Sequence, residues 1–504
     1  MPRWDEGAGI GFGFEAYGLG ILVARTVGDA PGSAMIGAAE GQVRIEVLLP
    51  GEARAWPAKE ADIARPNAVT DPTGAVTSYA YDGAGRLAGV GDWLSRSISL
   101  SYTTDGLQAG IARPDGVFTT QTYDAADRLT AITHTGPGNT ALRHFTYTLD
   151  AAGNRTAVVS DAGTESYTLD PVNRITGVSY PQGDTASYTY DTAGNRLTKT
   201  TTQGGTTTYT YDDADQLLSD GTNSYSYDQN GNLVTAGSSV FSWDYANRLS
   251  SAATGSTTAS YSYDGDGTRT SKTVNGTTTP YVWDRQAGLP LLASDGTNSY
   301  LSDTSGSRLG QLDRSGCPTF YLDDGLGSVR GTTQAAGTLS GSADYDVFGA
   351  ARATSGVQGG VGFTGQETDA ETGVSYLRAR EYNPVLGRFL SPDSMIPNGP
   401  GTQGYNLYAY VANNPTTWAD PSGQGISIAW ISRLGAFAIV PACLSTPWCI
   451  HLVEEVTGIY TKALELVGDS GVGAGLATLA YSASLVYIAT ACALDVTAGS
   501  DAST

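Results

Sequence analysis

The first candidate for chemistry is the stretch NNPTTWADPSGQ at residues 413–424. It closes a polar, repetitive region and directly precedes an apolar, unrepeated one. Asp420, Pro421 and Gly423 occupy the first, second and fourth positions of a favourable β-turn. Three interpretations stay open on these residues alone: an ordinary turn, a linker, or a place where the chain is cut.

Two further groups have side chains of the metal-binding types. The segment DGDGTR at Asp264 resembles the start of an EF-hand loop, but the third Asp and the terminal Glu are missing. His451 lies near Glu454 and Glu455, with no second His and no CxxC beside it. We therefore predict structural roles for these residues, and neither a metal nor another cofactor.

Composition excludes some classes of partner. The formal net charge is −22, from 28 basic and 50 acidic residues. Binding to nucleic acid needs a basic surface, so nucleic acid is excluded as a main partner. The segment MPRWDEGAGIGFGFEAYGLG at the start of the sequence is a poor signal peptide, because acidic residues precede its apolar part and glycines interrupt it. Export to the medium or the cell surface would then need another route or a segment upstream of Met1.

The elements that must position any site come from an internal repeat. Tyr-Asp or Trp-Asp units recur through the middle of the chain, with aspartates at 150, 170, 191, 212, 228, 244, 264 and 284. One unit reads TASYTYD-TAGN-RLTKTTT, in which alternating Thr and Tyr favour strands and Gly and Asn favour a turn. A single hairpin cannot bury its own face, so the units must stack and share a core.

The unit itself reads as scaffold. Its Asp can cap the turn amides, and the Arg that follows can pair with a neighbouring Asp. Nothing in the unit has the pattern of a catalytic group. The fold class predicted from the repeat is mainly β.

These units, from Tyr81 to Trp283, resemble the YD repeats of the Rhs family. Two later strings make the resemblance more specific: FTGQETDAETGVSYLRAREYNPVLGRFLSPDS at residues 363–394 and GYNLYAYVANNPTTWADPSG at 404–423. They are similar, in order and spacing, to the Rhs repeat-associated core domain. Repeats and core together cover about two-thirds of the chain.

The resemblance implies a β-hairpin spiral that forms a hollow shell, closed at one end by the core domain. We accordingly predict an atypical segment at 1–66, YD repeats at 67–300, the core domain at 301–423 and a variable tail at 424–504. About ten repeats are recognisable in the sequence, which favours a partial shell.

The resemblance also implies aspartyl-type self-cleavage. Carried over by position, the catalytic residues are Arg380, Asp393 and Asp420, and the cleavage site is Gly423 and Gln424, with the cut after Gln424. Peptide hydrolysis needs one carboxylate to activate water and one carboxylic acid to donate a proton. The chain departs from the family pattern at Gln424, where Leu or an aromatic is usual. It departs again at Glu381, which replaces Tyr and could compete for Arg380.

The tail is predicted to be small, mainly α-helical and hydrophobic. Leu452 to Val467 carries apolar residues at helical spacing. Residues 470–494 contain no charge and are long enough to span a bilayer, so a membrane contact is predicted there, with a small helical packing domain as the alternative. No separate catalytic site is evident in the tail, and any enzyme activity is at most the intramolecular autoprotease.

Three hypotheses for function follow. The first is a scaffold that carries its own tail as encapsulated cargo and releases it for toxin delivery or competition between cells, with an immunity protein or secretion machinery as partners. The second is a structural, adhesive or carbohydrate-binding protein of the cell surface, anchored by the hydrophobic helix. The third is a gene remnant without effector activity.

Overall fold

The structure is a computed structural model. It describes residues 67–71, 74–285, 289–357, 360–394 and 406–424, and the backbone of the strands at 11–13, 33–39, 42–48 and 427–428. The chain divides into two compact units, Met1–Pro66 and Asn67–Thr504. In the first unit, three strands form an antiparallel sheet in the order β1-β3-β2: β1 (Gly11–Gly13), β2 (Ser33–Ala39) and β3 (Gln42–Leu48).

The second unit begins with a 14-stranded sheet in which every strand pairs with its neighbours in sequence. Its strands are β4 (Ala68–Thr70), β5 (Val76–Tyr81), β6 (Leu87–Gly91), β7 (Ser97–Tyr102), β8 (Gln108–Ala112), β9 (Phe118–Tyr123), β10 (Leu129–Gly136), β11 (Thr140–Leu149), β12 (Arg155–Ser160), β13 (Gly163–Leu169), β14 (Ile175–Ser179), β15 (Thr185–Tyr190), β16 (Arg196–Thr201) and β17 (Gly205–Thr208). This is the arrangement expected of successive hairpins.

The hairpins continue in a two-stranded, a seven-stranded and an eight-stranded sheet, again in sequence order. The first two contain β18 (Thr210–Tyr211), β19 (Leu217–Ser219), β20 (Tyr225–Tyr227), β21 (Leu233–Ala236), β22 (Ser239–Trp243), β23 (Leu249–Thr254), β24 (Thr257–Tyr263), β25 (Arg269–Val274) and β26 (Thr277–Pro280). The third contains β27 (Val282–Asp284), β28 (Leu291–Ser294), β29 (Asn298–Ser302), β30 (Arg308–Asp313), β31 (Pro318–Asp323), β32 (Val329–Thr333), β33 (Leu339–Tyr345) and β34 (Ala351–Ser355).

Two small sheets complete the unit, and both lie at the candidate site. One has four strands, β35 (Glu367–Asp369), β36 (Val374–Leu377), β37 (Arg380–Asn383) and β38 (Arg388–Phe389). The other pairs β39 (Trp418–Ala419) with β40 (Ser427–Ile428). Single 3-10 turns occur at Pro137–Asn139, Pro181–Gly183, Phe363–Gly365 and Val411–Asn413.

The prediction of a mainly β chain built from stacked hairpins is confirmed. The part of the chain that the structure describes contains no α-helix, and hence none with the length and apolar character to cross a membrane. The predicted α-helical tail and the predicted membrane contact at 470–494 lie outside the described residues.

The repeat turns show why Asp begins each unit. In the first complete unit, Asp82 Oδ1 accepts hydrogen bonds from the amides of Ala84 and Arg86, both at 2.9 Å. Asp82 Oδ2 accepts from Arg86 Nε at 2.8 Å. The third residue after the Asp has a left-handed backbone conformation. An example is Asn247, three positions after Asp244, with φ of 59°, which Asn adopts at little cost. Four other units repeat this Asp–Arg pair: Asp92–Arg96, Asp124–Arg128, Asp170–Arg174 and Asp244–Arg248.

The repeat Tyr links one hairpin to the previous one. Tyr102 donates its hydroxyl to the carbonyl of Leu87 at 2.6 Å, and Tyr190 donates to the carbonyl of Ile175 at 2.8 Å. Trp243 makes the same bond through Nε1 to the carbonyl of Leu233 at 2.7 Å. A ring that carries a donor can therefore make this bond, although Leu149 and Leu169 occupy the position in two other units. This explains why Tyr and Trp, and not Phe, are the aromatic residues found there.

We expect Tyr102→Phe to lower the free energy of unfolding by about 1 kcal/mol, because the carbonyl of Leu87 loses its donor. Tyr245→Phe is the matched control, since the Tyr245 side chain is fully exposed and its change should fall within about 0.5 kcal/mol. Urea unfolding of the two variants beside the wild type measures the difference. Equal stabilities would contradict the proposed role of the ring hydroxyl.

The core lies between the buried faces of the sheets. The 14-stranded sheet packs against the eight-stranded sheet through Leu87, Val90 and Ile98, which contact a cluster that includes Leu312 and Phe320. In another cluster, side chains of the seven-stranded sheet pack with Val374 and Leu390 of the candidate-site region. The sheets of repeats therefore provide the packed support on which β35–β38 are held.

Candidate active site

Arg380 is positioned by a tight hairpin. Leu377 pairs with Arg380 across the turn between β36 and β37, and the turn residue Arg378 has φ of +63°. Arg378 is held in this conformation by its guanidinium, which donates to the carbonyls of Pro290 at 2.8 Å and Pro421 at 2.5 Å. Burial lowers the pKa of Arg378 to about 10, with the charge of Arg308 acting in the same direction.

The two predicted aspartates meet on one nitrogen of Arg380. Arg380 Nη2 lies 2.7 Å from Asp393 Oδ2 and 3.4 Å from Asp420 Oδ2. All three side chains are at least nine-tenths buried. Residues that are 13 and 27 positions apart in the sequence thus form one compact group. Their catalytic role remains a prediction.

The rest of the Arg380 guanidinium holds the backbone of the site. Nη1 donates to the carbonyl of Leu407 at 3.0 Å, and Nε donates to the carbonyl of Gly423. The guanidinium carbon lies 3.5 Å from the centre of the Phe389 ring. Burial lowers the pKa of Arg380, and the charges of Asp393 and Asp420 oppose this shift. Arg380 thus connects both carboxylates to the segment predicted to be cut.

Residues 420–424 form a closed turn. Asp420 Oδ1 accepts from the amide of Gly423 at 2.8 Å and from the hydroxyl of Ser422 at 3.1 Å. The Gln424 side chain donates through Nε2 to Ser394 Oγ at 3.1 Å. Residue 424 is therefore placed beside the residue that follows Asp393. Residues 420–424 therefore form the predicted turn and also lie in the polar site.

Glu381 does not compete for Arg380, and that prediction was wrong. Successive residues of a strand point to opposite faces, so Glu381 faces away from Asp393 and Asp420. Its Oε1 accepts from Arg269 Nη2 at 3.3 Å and from the Tyr263 hydroxyl at 3.3 Å. Burial raises the pKa of Glu381 to about 7, while Arg269 lowers it and Asp369 raises it further.

This raised pKa has a consequence for stability. The folded chain holds the Glu381 proton up to about pH 7, whereas the unfolded chain releases it near its ordinary pKa of 4.5. Stability from this group is therefore complete below pH 4.5 and is lost as the pH rises through about 7. We expect wild type to lose about 3 kcal/mol more than Glu381→Gln across this window. Urea unfolding of both chains from pH 4.5 to 8 measures it, and parallel curves would contradict the assignment.

Four arginines, here called inward arginines, point to the buried face of the repeats and were not predicted from the sequence. Each follows its repeat Asp by five residues instead of four, which turns the side chain to the buried face, where it lies over the ring of a Tyr eight residues earlier. These pairs are Arg155 with Tyr147, Arg196 with Tyr188, Arg269 with Tyr261 and Arg308 with Tyr300. The common pattern Tyr-x-x-Asp-x-x-Gly-(Asn/Thr/Ser)-Arg could have revealed them.

Each inward arginine reaches the part of the chain predicted as the core domain. Arg155 donates to the carbonyl of Gly325 at 2.9 Å, and Arg308 pairs with Glu367 at 2.9 Å. Arg196 donates to the carbonyl of Leu386, and Arg269 pairs with Asp369 at 2.7 Å. In these units the Asp still caps the turn, and the amide of the short polar residue before the Arg donates to it, as the Asn154 amide donates to Asp150 Oδ1 at 2.8 Å. Arg155, Arg196 and Arg269 are thus among the polar contacts between repeats and core, whereas Arg308 makes its contact within the predicted core.

Side chains of the metal-binding types do not cluster in the described ranges. These ranges contain no group of three or more His, Cys, Asp or Glu side chains with metal-binding spacing. The Asp264 carboxylate, considered above for calcium, accepts from the amides of Asp266 and Thr268 at 3.0 Å and pairs with Arg285. Asp264 is therefore a turn cap. His451 lies outside the described residues.

The fold and the repeat chemistry define a class of protein: a β-hairpin scaffold of YD repeats whose buried face holds a core segment through inward arginines. Comparison with family models agrees. The Teneurin YD-shell model matches residues 151–416, and the RHS Repeat model matches 68–96. Since the first match covers more than half of the chain, the protein belongs to the teneurin YD-shell family. The predicted membership of the wider group of Rhs and YD-repeat proteins is confirmed.

Relatives of known sequence include proteins named as a nuclease and as a toxin. The chain is 33% identical over 192 residues to the tRNA3(Ser)-specific nuclease WapA of Bacillus spizizenii, covering 36% of this chain and 8% of the relative. It is 32% identical over 133 residues to double-stranded DNA deaminase toxin A of Burkholderia cenocepacia, covering 25% and 8%. The chain thus matches only a small part of the length of these relatives.

Among solved structures, the Tc holotoxin pore of Photorhabdus luminescens, which contains TccC3, is similar with a TM-score of 0.59 and 20% identity. The match covers 72% of this chain and 21% of that chain. At this identity the likeness supports the fold alone. The shell-type β architecture is therefore shared with a protein of known structure.

Proposed function

We propose that the protein is a YD-repeat scaffold that carries its C-terminal segment as a toxin-type effector and releases it by cutting itself after Gln424. One observation carries the self-cleavage: a single buried guanidinium, that of Arg380, holds Asp393, Asp420 and the carbonyl of Gly423 together. The relatives named as a nuclease and as a deaminase toxin support the effector part of the proposal.

The chemistry proposed is hydrolysis of the peptide bond between residues 424 and 425. One carboxylate of the Asp393–Asp420 pair accepts a proton from water, and the water oxygen bonds to the carbonyl carbon of Gln424. The other carboxyl, in its protonated form, donates a proton to the leaving nitrogen as the C–N bond breaks. Two close carboxyls readily share one proton, which provides both forms at once.

Arg380 supports this reaction in two ways. Its charge lies beside both carboxyls and can stabilise the negative charge that develops in the transition state. Its bond to Gly423 fixes the backbone one residue before the predicted cut, and Ser394 binds the Gln424 side chain. The substrate is part of the same chain, so positioning is intrinsic and modest acid–base catalysis suffices.

Intact-mass measurement of the purified full chain over time tests the cut. Wild type is expected to yield a tail that begins at residue 425. Asp393→Asn and Asp420→Asn should cleave at no more than about one hundredth of the wild-type rate. Asp228→Asn, the same change at a repeat turn, is the control. A folded wild-type chain that stays at full length would overturn self-cleavage. A tail that begins at Gln424 would assign the attack to the Gly423 carbonyl instead.

The delivery part of the proposal has its own test. In this part of the proposal, the tail is the cargo, the producing cell needs an immunity protein, and export uses secretion machinery. Growth of cells that express the full chain is compared with growth of cells that express a chain ending at Gln424. Inhibition by the full chain alone supports an effector. An uncut chain that stays on the cell surface would support the structural or adhesive role instead.

A further inference from the structure

Arg269 links the repeats to the strand that carries Arg380. It is 1% exposed and lies between the rings of Tyr261 and Tyr376, with centroid distances of 4.4 and 4.1 Å. Its Nη1 pairs with Asp369 at 2.7 Å and its Nη2 with Glu381 at 3.3 Å. Arg269 therefore contacts the four-stranded sheet at three of its strands, β35, β36 and β37.

Glu381 in turn connects to both sides of the candidate site. It is bonded covalently to Arg380, whose side chain leaves the opposite face of the strand. Its own carbonyl accepts from the amide of Leu390 at 3.0 Å, three residues before Asp393. A displacement of Glu381 thus moves the guanidinium and the segment that leads to Asp393 together.

We propose that Arg269 is a positioning residue for the self-cleavage: by holding Glu381, it fixes the strand of Arg380 and the approach of Asp393. The inference rests on the proposed function, because it concerns the geometry of the same reaction. Arg269 touches none of the reacting atoms and acts through Glu381. Self-cleavage thereby depends on a correct junction between repeats and core.

The cleavage rate of the full chain tests this directly. Arg269→Met is expected to slow cleavage about ten-fold or more, since small misplacements of catalytic groups have large effects on rate. Lys272→Met is the matched control: Lys272 pairs with Asp369 and Glu371 of the same cluster but makes no contact with Glu381 described by the structure. A change of less than about two-fold is expected there. Equal rates for wild type and Arg269→Met would overturn the proposal.

A pH profile separates positioning from mere support of the fold. The charged and titratable groups that face Glu381 are Arg269 of β25, Tyr263 of β24, Asp369 of β35 and Tyr376 of β36. Ionisation of Glu381 near pH 7 strengthens its hold on Arg269. The ratio of the wild-type rate to that of the nearly isosteric Glu381→Gln should therefore rise from pH 6 to 8. A ratio that stays constant would contradict the proposal.

Amide exchange keeps this result distinct from failure of the proposed function. In the Asp420→Asn background, where no cut is expected, Arg269→Met should speed exchange of the Leu390 amide about ten-fold relative to Lys272→Met. Faster exchange in a chain whose wild type never cuts would support the junction and overturn the cleavage. Unchanged exchange in a chain that cuts would overturn the role of Arg269 and leave the cleavage standing.

Discussion

Replacing Arg380 by Met is expected to abolish self-cleavage and to lower the free energy of unfolding by about 3–5 kcal/mol. The variant leaves Asp393 and Asp420 buried without the cation they share, and the carbonyls of Leu407 and Gly423 lose their donor. A buried carboxylate that loses its partner costs far more than the pair contributes. Urea unfolding and intact-mass analysis of the same preparation measure both effects.

Arg285→Met is the comparison for this experiment. Arg285 also pairs with two aspartates, Asp264 and Asp266, but its side chain is 44% exposed. Exposed ion pairs contribute little, so its change should stay within about 1 kcal/mol and leave cleavage intact. If Arg380→Met proved no more harmful than Arg285→Met, Arg380 would not be the centre of a buried site.

Gly423→Ala should be the second most damaging change. Gly423 has φ of +74°, and a Cβ there would overlap the carbonyl of Leu377 and lie 3.0 Å from the amide nitrogen of Arg380. Both are backbone atoms of the hairpin that carries Arg380, so the turn must move away from the site. We expect a loss of more than about 2 kcal/mol and a drop in cleavage of at least about a hundred-fold.

Gly276→Ala isolates the close approach from the backbone conformation. Gly276 has a similar φ of +85°, but a Cβ there would meet nothing within 4 Å. Its cost should be that of the left-handed conformation alone, about 1–2 kcal/mol, with cleavage at the wild-type rate. Differential scanning calorimetry with the mass assay compares the two variants. Equal effects would show that the contact with Leu377 is unimportant.

The repeat architecture was predictable because its physics is local. Each signal acts within a few positions: alternating Thr and Tyr favour the strands, and the Asp and the left-handed residue three positions later form the turn. The structure of one unit therefore predicts that of the others. The grouping of Arg380, Asp393 and Asp420 was reached through family resemblance, since no local pattern joins residues 40 positions apart.

Other features depended on side-chain direction, which spacing hardly reveals. Shifting an Arg by one residue, as at Arg269, turns it from the face of the Asp–Arg pairs to the buried core. The same alternation sends Glu381 away from Arg380, against the prediction from proximity in sequence. The inward arginines share a sequence pattern that reveals their register, whereas the direction of Glu381 becomes predictable only when the ends of its strand are known.

The short pairing of β39 with β40 separates cutting from departure. Trp418 and Ala419 lie before the predicted cut, and their partners Ile428 and Ser427 lie after it. Hydrolysis after residue 424 would thus leave the new N-terminus of the tail bound to the scaffold by the main-chain hydrogen bonds between β39 and β40. Cleavage would break a covalent bond, whereas release of the tail would require β40 to separate from β39. The scaffold would therefore retain the cleaved tail until these hydrogen bonds break.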